Sequence, residues 1–313
     1  MMHSRKKEVP IAVKHSKPCG KVDPVGTEDE CLLPILISYH YLRQLPKSEM
    51  SYFAQGGAKE DGFEVMLDSG AFSAKSIGAT IEIDEYMEFV ATYGHNFEGG
   101  YVALDVLGEP DQTQKNLDIM WDAGLDPMPV HVWGDTSYRM EQLYERASKI
   151  CLGGFKRPGR GPAPREYVVE KMRMAQGRPV HWLGYTNFDM VATLTPHSCD
   201  AVTWKAAQIW GQVMFYKGKG RWVRMKACEA SSRRFTKLEL DHIEQCGATE
   251  QELRDVEIWV GPTGPHQRVT TLSWVKYILE LRRQIGTRTF MALNGMNQVD
   301  EIKHAMKAIK KEI

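Results

Sequence analysis

Along the chain, short runs that are apolar throughout alternate with longer segments whose apolar residues recur at helical spacing. The runs Pro34–Ser38, Glu64–Asp68, Tyr101–Asp105, Met128–Val132, Ile150–Gly153, Val180–Gly184 and Ala201–Trp204 read as strands. A strand without polar alternation is buried on both faces, as in a parallel sheet covered by helices. Covering helices are predicted at Asp84–Tyr93, Gln112–Ala123 and Arg165–Ala175, where the apolar period switches from 2 to 3.6. Seven or eight such units in 313 residues predict an α/β protein, a (β/α)8 TIM barrel in preference to an open doubly wound sheet. Arg221–Ala227 and Thr289–Leu293 both qualify as the eighth strand. Residues 1–30, polar and rich in Lys, Pro and Gly, read as an N-terminal arm. Residues 31–313 read as one barrel domain, with 214–287 an insertion.

With 42% hydrophobic residues the chain is long enough to bury a full core. No apolar run approaches the ~20 residues that span a bilayer. The basic start, MMHSRKKEVP, lacks the apolar stretch of a signal peptide. Six cysteines lie far apart with no C-x-x-C pair, a pattern of free thiols in a reducing compartment. These features predict a cytoplasmic protein. Net charge is zero but unevenly placed: residues 1–150 hold 14 Lys/Arg against 24 Asp/Glu, the remainder 26 against 16. The basic second half either meets a polyanion or carries ordinary solvated helix faces. The glycines of Gly153–Gly161 have neither dinucleotide-fold nor Walker spacing, so no nucleotide cofactor is predicted.

Residues at the C-terminal ends of parallel barrel strands line the catalytic mouth. Three aspartates fall there: Asp68 in VMLDSGAF, Asp105 in YVALDV and Asp200 in SCDAVTW. An acid directly after an apolar strand is costly unless paired or used, although any single one could cap the following helix. Two carboxylates facing one site suit cleavage of a glycosidic bond, one attacking the anomeric carbon while the other moves protons. A third suits recognition of guanine, whose N1–H and N2 amino group donate along one edge. Phe72 either stacks on a base or is an ordinary core residue.

The segment LDSGAF resembles the D-S-G-(G/A/S)-(Y/F)-Q motif of the tRNA-guanine transglycosylases, and YVALDV resembles their second aspartate strand. PVHVWG, ICLGGF, HWLGYT and CDAVTW follow in the order of that family's V-Q-G, G-G, leucine-glycine and nucleophile strands. Fainter likeness continues in LELDHIEQCGATEQELRD and ALNGMNQVDEIKHAMKAI, similar to the archaeal branch. The resemblance implies Asp200 as the nucleophile on C1′ and Asp68 as the base-holding, proton-transferring carboxylate, with Asp105 reading the base edge. It implies Ser69, Gly70 and Phe72 around the base, backbone groups of Gly153 and Gly154 on the purine ring, and Leu183 and Gly184 completing the pocket. The chain departs from the family pattern in several places. Trp133 stands where the family has Gln, Ser73 replaces the Gln after the aromatic, and the zinc set has shrunk to Cys246, with Asn294 in place of the His. One thiol, even with His242 as a second ligand, does not make a tetrahedral zinc site. No metal and no cofactor are therefore predicted.

A compact, zinc-less version of this family resembles the phage and bacterial paralogues that place 7-deazaguanines such as preQ0 in DNA. The stretch Phe215–Phe235 carries seven Lys/Arg and one acid, with Tyr216 and Trp222 interleaved. It reads as a phosphate-tracking, base-stacking surface or as an exposed hairpin whose charges only keep it soluble. Lys217, Lys219, Arg221 and Arg224 are its candidate nucleic-acid contacts, joined by Lys156, Arg157 and Arg160 beside the Gly153–Gly154 loop. The expected function is replacement of guanine in DNA by a 7-deazaguanine, with DNA and the free base as partners. The alternatives are a tRNA-directed enzyme and a non-catalytic binding subunit of such an enzyme.

Overall fold

The computed structural model describes residues 32–157, 161–255, 257 and 264–310. The predicted N-terminal arm, residues 1–30, lies outside them. Eight strands form one sheet: β1 Leu33–Ser38, β2 Phe63–Asp68, β3 Gly100–Tyr101, β4 Val130–His131, β5 Ile150–Leu152, β6 Val180–Trp182, β7 Ser198–Ala201 and β8 Arg288–Leu293. Their order is β3-β2-β1-β8-β7-β6-β5-β4, with every pairing parallel. The sheet curls until its edges meet. Val102, just after β3, bridges Met128, just before β4, with Ala103 N donating to Met128 O at 2.9 Å and Met128 N to Tyr101 O at 2.8 Å. The fold is α/β with a curled, barrel-like parallel sheet, and helices follow the strands around it.

Burial on both sides explains the apolar runs. β1, LPILIS, is buried at every position. Its Leu36 joins the cluster on the concave side of the sheet, with Met66, Val102, Met128, Val130, Val132, Cys151, Phe290 and Ala292 from the other strands and their flanks, and Leu183 packed against them. Ile35 and Ile37 of β1, like Val65 and Leu67 of β2, pack outward under the helices. Because side chains alternate along a strand, Asp68 shares the concave side with Met66. Asp200, paired in register with Phe290, shares it too.

The predicted strand at Ala201–Trp204 is shifted. The strand is Ser198–Ala201, and Thr203–Lys205 is a 3-10 turn. The apolar character of Trp204 serves burial of a turn, since its indole nitrogen donates to Ala292 O at 3.0 Å. The eighth strand is Arg288–Leu293, seated between β1 and β7. Trp222–Lys226 instead pairs antiparallel with Gln212–Tyr216 in a separate hairpin. Between that hairpin and β8 the chain forms helices Ala227–Ser232, Lys237–Gln245, Glu250–Arg254 and Pro265–Ile285. The last is buried around much of its circumference, from Val269 and Leu272 to Tyr277 and Leu281, because both the sheet and the hairpin pack on it.

At the N-terminal end of the strands the charges are paired. Glu64 at the start of β2 makes a short ion pair with Arg288 at the start of β8, and Arg288 also meets His197. Lys149 Nζ donates to Gly99 O at 3.0 Å. No helix among the described residues is long and apolar enough to cross a membrane.

Candidate active site

Three aspartates from different strand ends gather at the C-terminal side of the sheet. Asp68 ends β2, and its Oδ2 accepts from Gly70 N at 3.0 Å. Burial, then the negative charges of Asp105 and Asp200, push the Asp68 carboxyl up to about 7. Like charges sharing a poorly solvated site cannot all ionise freely, so one holds its proton near neutrality. Burial also raises the Asp105 carboxyl above its ordinary value, while a hydrogen bond from Ser69 Oγ to Asp105 Oδ1, 3.1 Å, opposes the rise. The loop bearing Asp105 is held by helix Pro110–Asp122: Thr113 Oγ1 accepts from Val106 N at 2.8 Å, and Asn116 Nδ2 donates to Leu104 O at 3.0 Å.

Asp200 is buried and oriented through one oxygen. Gly184 N donates to Asp200 Oδ1 at 2.7 Å. His181 Nε2 stands 3.3 Å from the same oxygen without hydrogen-bond alignment, while its Nδ1 lies 2.9 Å from Ser198 Oγ. Burial lowers the His181 pKa, so the ring is neutral. The tautomer in which Ser198 Oγ donates to Nδ1 carries its ring hydrogen on Nε2. No hydrogen bond reaches Asp200 Oδ2 among the described residues. One oxygen is thus held while the other remains available for chemistry.

The turn after β2 needs glycine at position 70. Its φ is +84°, and a Cβ there would stand 2.5 Å from Ser38 Oγ and 2.8 Å from His40 N. The tight packing of β1 against this turn fixes the Asp68–Ser69 pair. Phe72, beyond it, is about half exposed, which suits a surface offered to a ligand better than a core role. Gly153 and Gly154 follow β5, and Tyr167 Oη donates to Gly153 O at 3.2 Å. Trp133 follows β4 and packs its ring on Tyr167, centroids 4.3 Å apart. Leu183 and Gly184 follow β6. The expected site residues of the strand ends therefore share one rim.

The expected polymer contacts are more scattered. Lys156 and Arg157 form a two-residue strand paired with Gly161–Pro162 after Gly154, and Arg160 lies outside the described residues. Lys219, Arg221 and Arg224 of the hairpin are exposed, but Lys217 lies 3.4 Å from the buried carboxylate of Glu239. The reading of Tyr216 as a base-stacking surface is corrected: it is 4% exposed, packed on Trp222 and Tyr277. Hydrophobic burial against helix Pro265–Ile285 claims its ring. Of the residues weighed against a zinc site, Cys246 is buried with its thiol pushed up to about 11 by burial, and Asn294 accepts from Lys205 Nζ at 2.8 Å. No cluster of three or more His, Cys, Asp or Glu able to hold a metal occurs among the described residues.

Two residues at this rim carry no assignment from the sequence reading. His181 stood inside the quoted HWLGYT segment, and a histidine two positions before Leu183 in an apolar strand was the available signal. Lys205 is 3% exposed, lowered to about 8 by burial, and nothing local distinguishes it from a surface lysine. Comparison of the chain with protein-family models, curated proteins and solved structures finds no match.

Proposed function

We propose that the protein is a base-exchange glycosyltransferase on a (β/α)8 barrel, replacing guanine in DNA with a 7-deazaguanine of the preQ0 type. The observation that carries the reading is the meeting of two carboxylates on the concave rim: Asp200 held through one oxygen, and Asp68 pushed up to about 7. A carboxyl that holds its proton near neutrality suits proton transfer, and one with an oxygen left unengaged suits attack.

In the first half-reaction Asp200 Oδ2 attacks C1′, the C1′–N9 bond breaks, and its electron pair leaves with the guanine, which takes the proton held by Asp68. In the second, Asp68, now ionised, accepts the N9 proton of the incoming base, and N9 attacks C1′ and releases Asp200. A group with a pKa near neutrality serves both directions. Asp105 accepts from the donor edge of the base, and Ser69 keeps its carboxylate turned toward the site. Two displacements retain configuration at the sugar. Without the electron-withdrawing 2′-hydroxyl, a deoxyribosyl oxocarbenium forms more readily, and the exposed cations Lys219, Arg221 and Arg224 offer phosphate contacts.

The test offers guanine-containing DNA and total tRNA together with labelled guanine or preQ0. Label entering DNA is the expected result. Label entering tRNA alone would move the enzyme to the tRNA-directed class, and label in neither would overturn base exchange.

A further inference from the structure

One histidine ring lies against two side chains of β7. Ser198 and Asp200 are two positions apart on that strand and share its concave face, and His181 of β6 stands in register with Ser198. Its Nδ1 lies 2.9 Å from Ser198 Oγ, and its Nε2 lies 3.3 Å from Asp200 Oδ1. We propose that His181 is the positioning residue for Asp200, and that Ser198 fixes the tautomer in which Nε2 carries the ring hydrogen. This inference rests on the base-exchange reading.

His181 and Ser198 are both 0% exposed, inside a sheet whose concave side is otherwise lined by Leu, Met, Val, Cys, Phe and Ala. The ring is in register with Cys151 of β5 and stands edge-on to Phe290, centroids 5.9 Å apart. A buried polar side chain costs free energy unless it is bonded, and packing alone would be served here by an apolar ring. Among the described residues the two ring nitrogens meet Ser198 and Asp200 and no other side-chain polar atom at hydrogen-bond distance. The buried Ser198 hydroxyl is out of reach of a substrate, so its role is toward the ring.

The tautomer decides what the ring does for Asp200. With Ser198 donating to Nδ1, the nitrogen against Oδ1 is a donor, and it joins Gly184 N, which donates to the same oxygen at 2.7 Å. The Nε2 contact is not aligned as a hydrogen bond in the free protein, and such contacts commonly tighten when substrate binds. Two donors on Oδ1 restrict rotation of the carboxylate and leave Oδ2 for C1′. With the hydrogen on Nδ1 instead, Nε2 would set a lone pair against Oδ1. Only a protonated Asp200 relieves that contact, and a protonated carboxyl is a poor nucleophile. Burial above all, with the positive charges of Lys149 and Arg288, holds the ring neutral against the pull of Asp200. Burial also keeps neighbouring His197 neutral and pushes the Cys151 thiol up, so neither adds a charge beside the ring.

The experiment has two arms, both on the full-length protein. Nitrogen-15 NMR of the histidine rings reads the tautomer, with the His181 signals assigned by their loss in His181→Gln. Hydrogen on Nε2 between about pH 6 and 8 is expected in the wild type, and a second tautomer in Ser198→Ala. Exchange of labelled guanine into guanine-containing DNA reads the positioning. His181→Phe fills the space without a donor and should lower kcat about tenfold or more, with KM within about twofold. His181→Gln, whose amide nitrogen reaches the place of Nε2, should recover most of that loss. A wild-type ring with its hydrogen on Nδ1, or a folded His181→Phe that turns over as fast as wild type, overturns the proposal. Should His181→Phe fail to fold, Ser198→Ala decides, since an unchanged tautomer and an unchanged kcat overturn it equally. The expected tautomers, with no base exchange on any nucleic acid, sink the exchange reaction and leave the Ser198–His181 lock in place.

Discussion

The two ends of the same strands treat charge in opposite ways. β2 starts beside Glu64 and ends at Asp68, while β8 starts at Arg288 and β7 carries Asp200. At the N-terminal end, Glu64 and Arg288 neutralise one another, with His197 alongside. At the C-terminal end, Asp68, Asp105 and Asp200 gather beside neutral His181, and none of the three makes an ion pair to a lysine or arginine among the described residues. The paired end holds the sheet together. The unpaired end keeps carboxylates at raised energy, which is how a folded protein prepares groups for chemistry.

The largest effect that breaks this contrast is on turnover. Asp200→Ala is expected to lower base exchange at least about a thousandfold, as loss of a nucleophile does, and to abolish any denaturation-resistant protein–DNA adduct. Its stability should hold or rise, since one of three crowded carboxylates is gone. An active Asp200→Ala enzyme would remove the nucleophile from this rim.

At the opposite end the expected change is in stability. Arg288→Met leaves Glu64, whose side chain is 7% exposed, without its partner. Because the Arg288 side chain is 24% exposed, the cost should fall near or below the low end for buried pairs, about 2–3 kcal/mol by denaturant unfolding. The double variant Glu64→Leu/Arg288→Met should recover most of it, with the exchange rate at saturating substrate little changed. Equal losses in the single and double variants would mean the pair is not the source.

Asp68 sharpens the comparison through pH. Its carboxyl is raised from an ordinary 3.8 to about 7. Between those values the folded protein keeps a proton that the unfolded chain has released, so this group's stabilisation is complete below about pH 4 and lost as pH rises through 7. Asp68→Asn removes that dependence. Its gain in thermal midpoint over wild type should be larger at pH 8 than at pH 5, with exchange lost at both. A gain independent of pH would place the Asp68 carboxyl in the ordinary range.

The smallest effect concerns the polymer. Replacing Lys217, Lys219, Arg221 and Arg224 with Ala should lower the salt slope of DNA affinity by roughly 2, about 0.7 for each solvent-facing cation, and barely move the unfolding midpoint. Lys217 contributes least because Glu239 already engages it. An unchanged slope would place the phosphates elsewhere on the molecule.

Much of the sheet was legible because its signal is local. A strand buried on both faces must be apolar throughout, and LPILIS, FEVMLD and RTFMAL each lie where an apolar run was read or offered as an alternative. Helix Arg165–Ala175 was predicted to the residue because its apolar period and the preceding Pro164 act within the segment itself. The miss at Ala201–Trp204 has the same origin: a buried turn and a buried strand look alike in composition, and only the hydrogen bond from Trp204 to Ala292 tells them apart.

The sequence by itself determined which residues carry charge at strand ends, because an aspartate closing an apolar run is visible without neighbours. Only the tertiary structure decided which of those charges meet. The pKa of Asp68 depends on Asp105 and Asp200, 37 and 132 positions away in the chain, and on the burial that the curled sheet imposes. Likewise Tyr216 had the composition of an exposed stacking residue and became part of the core, since helix Pro265–Ile285 packs on the hairpin that carries it. Burial, ion pairing and proton affinity are properties of neighbours in space. The pattern along the chain specifies the strands, and the strands then choose the neighbours.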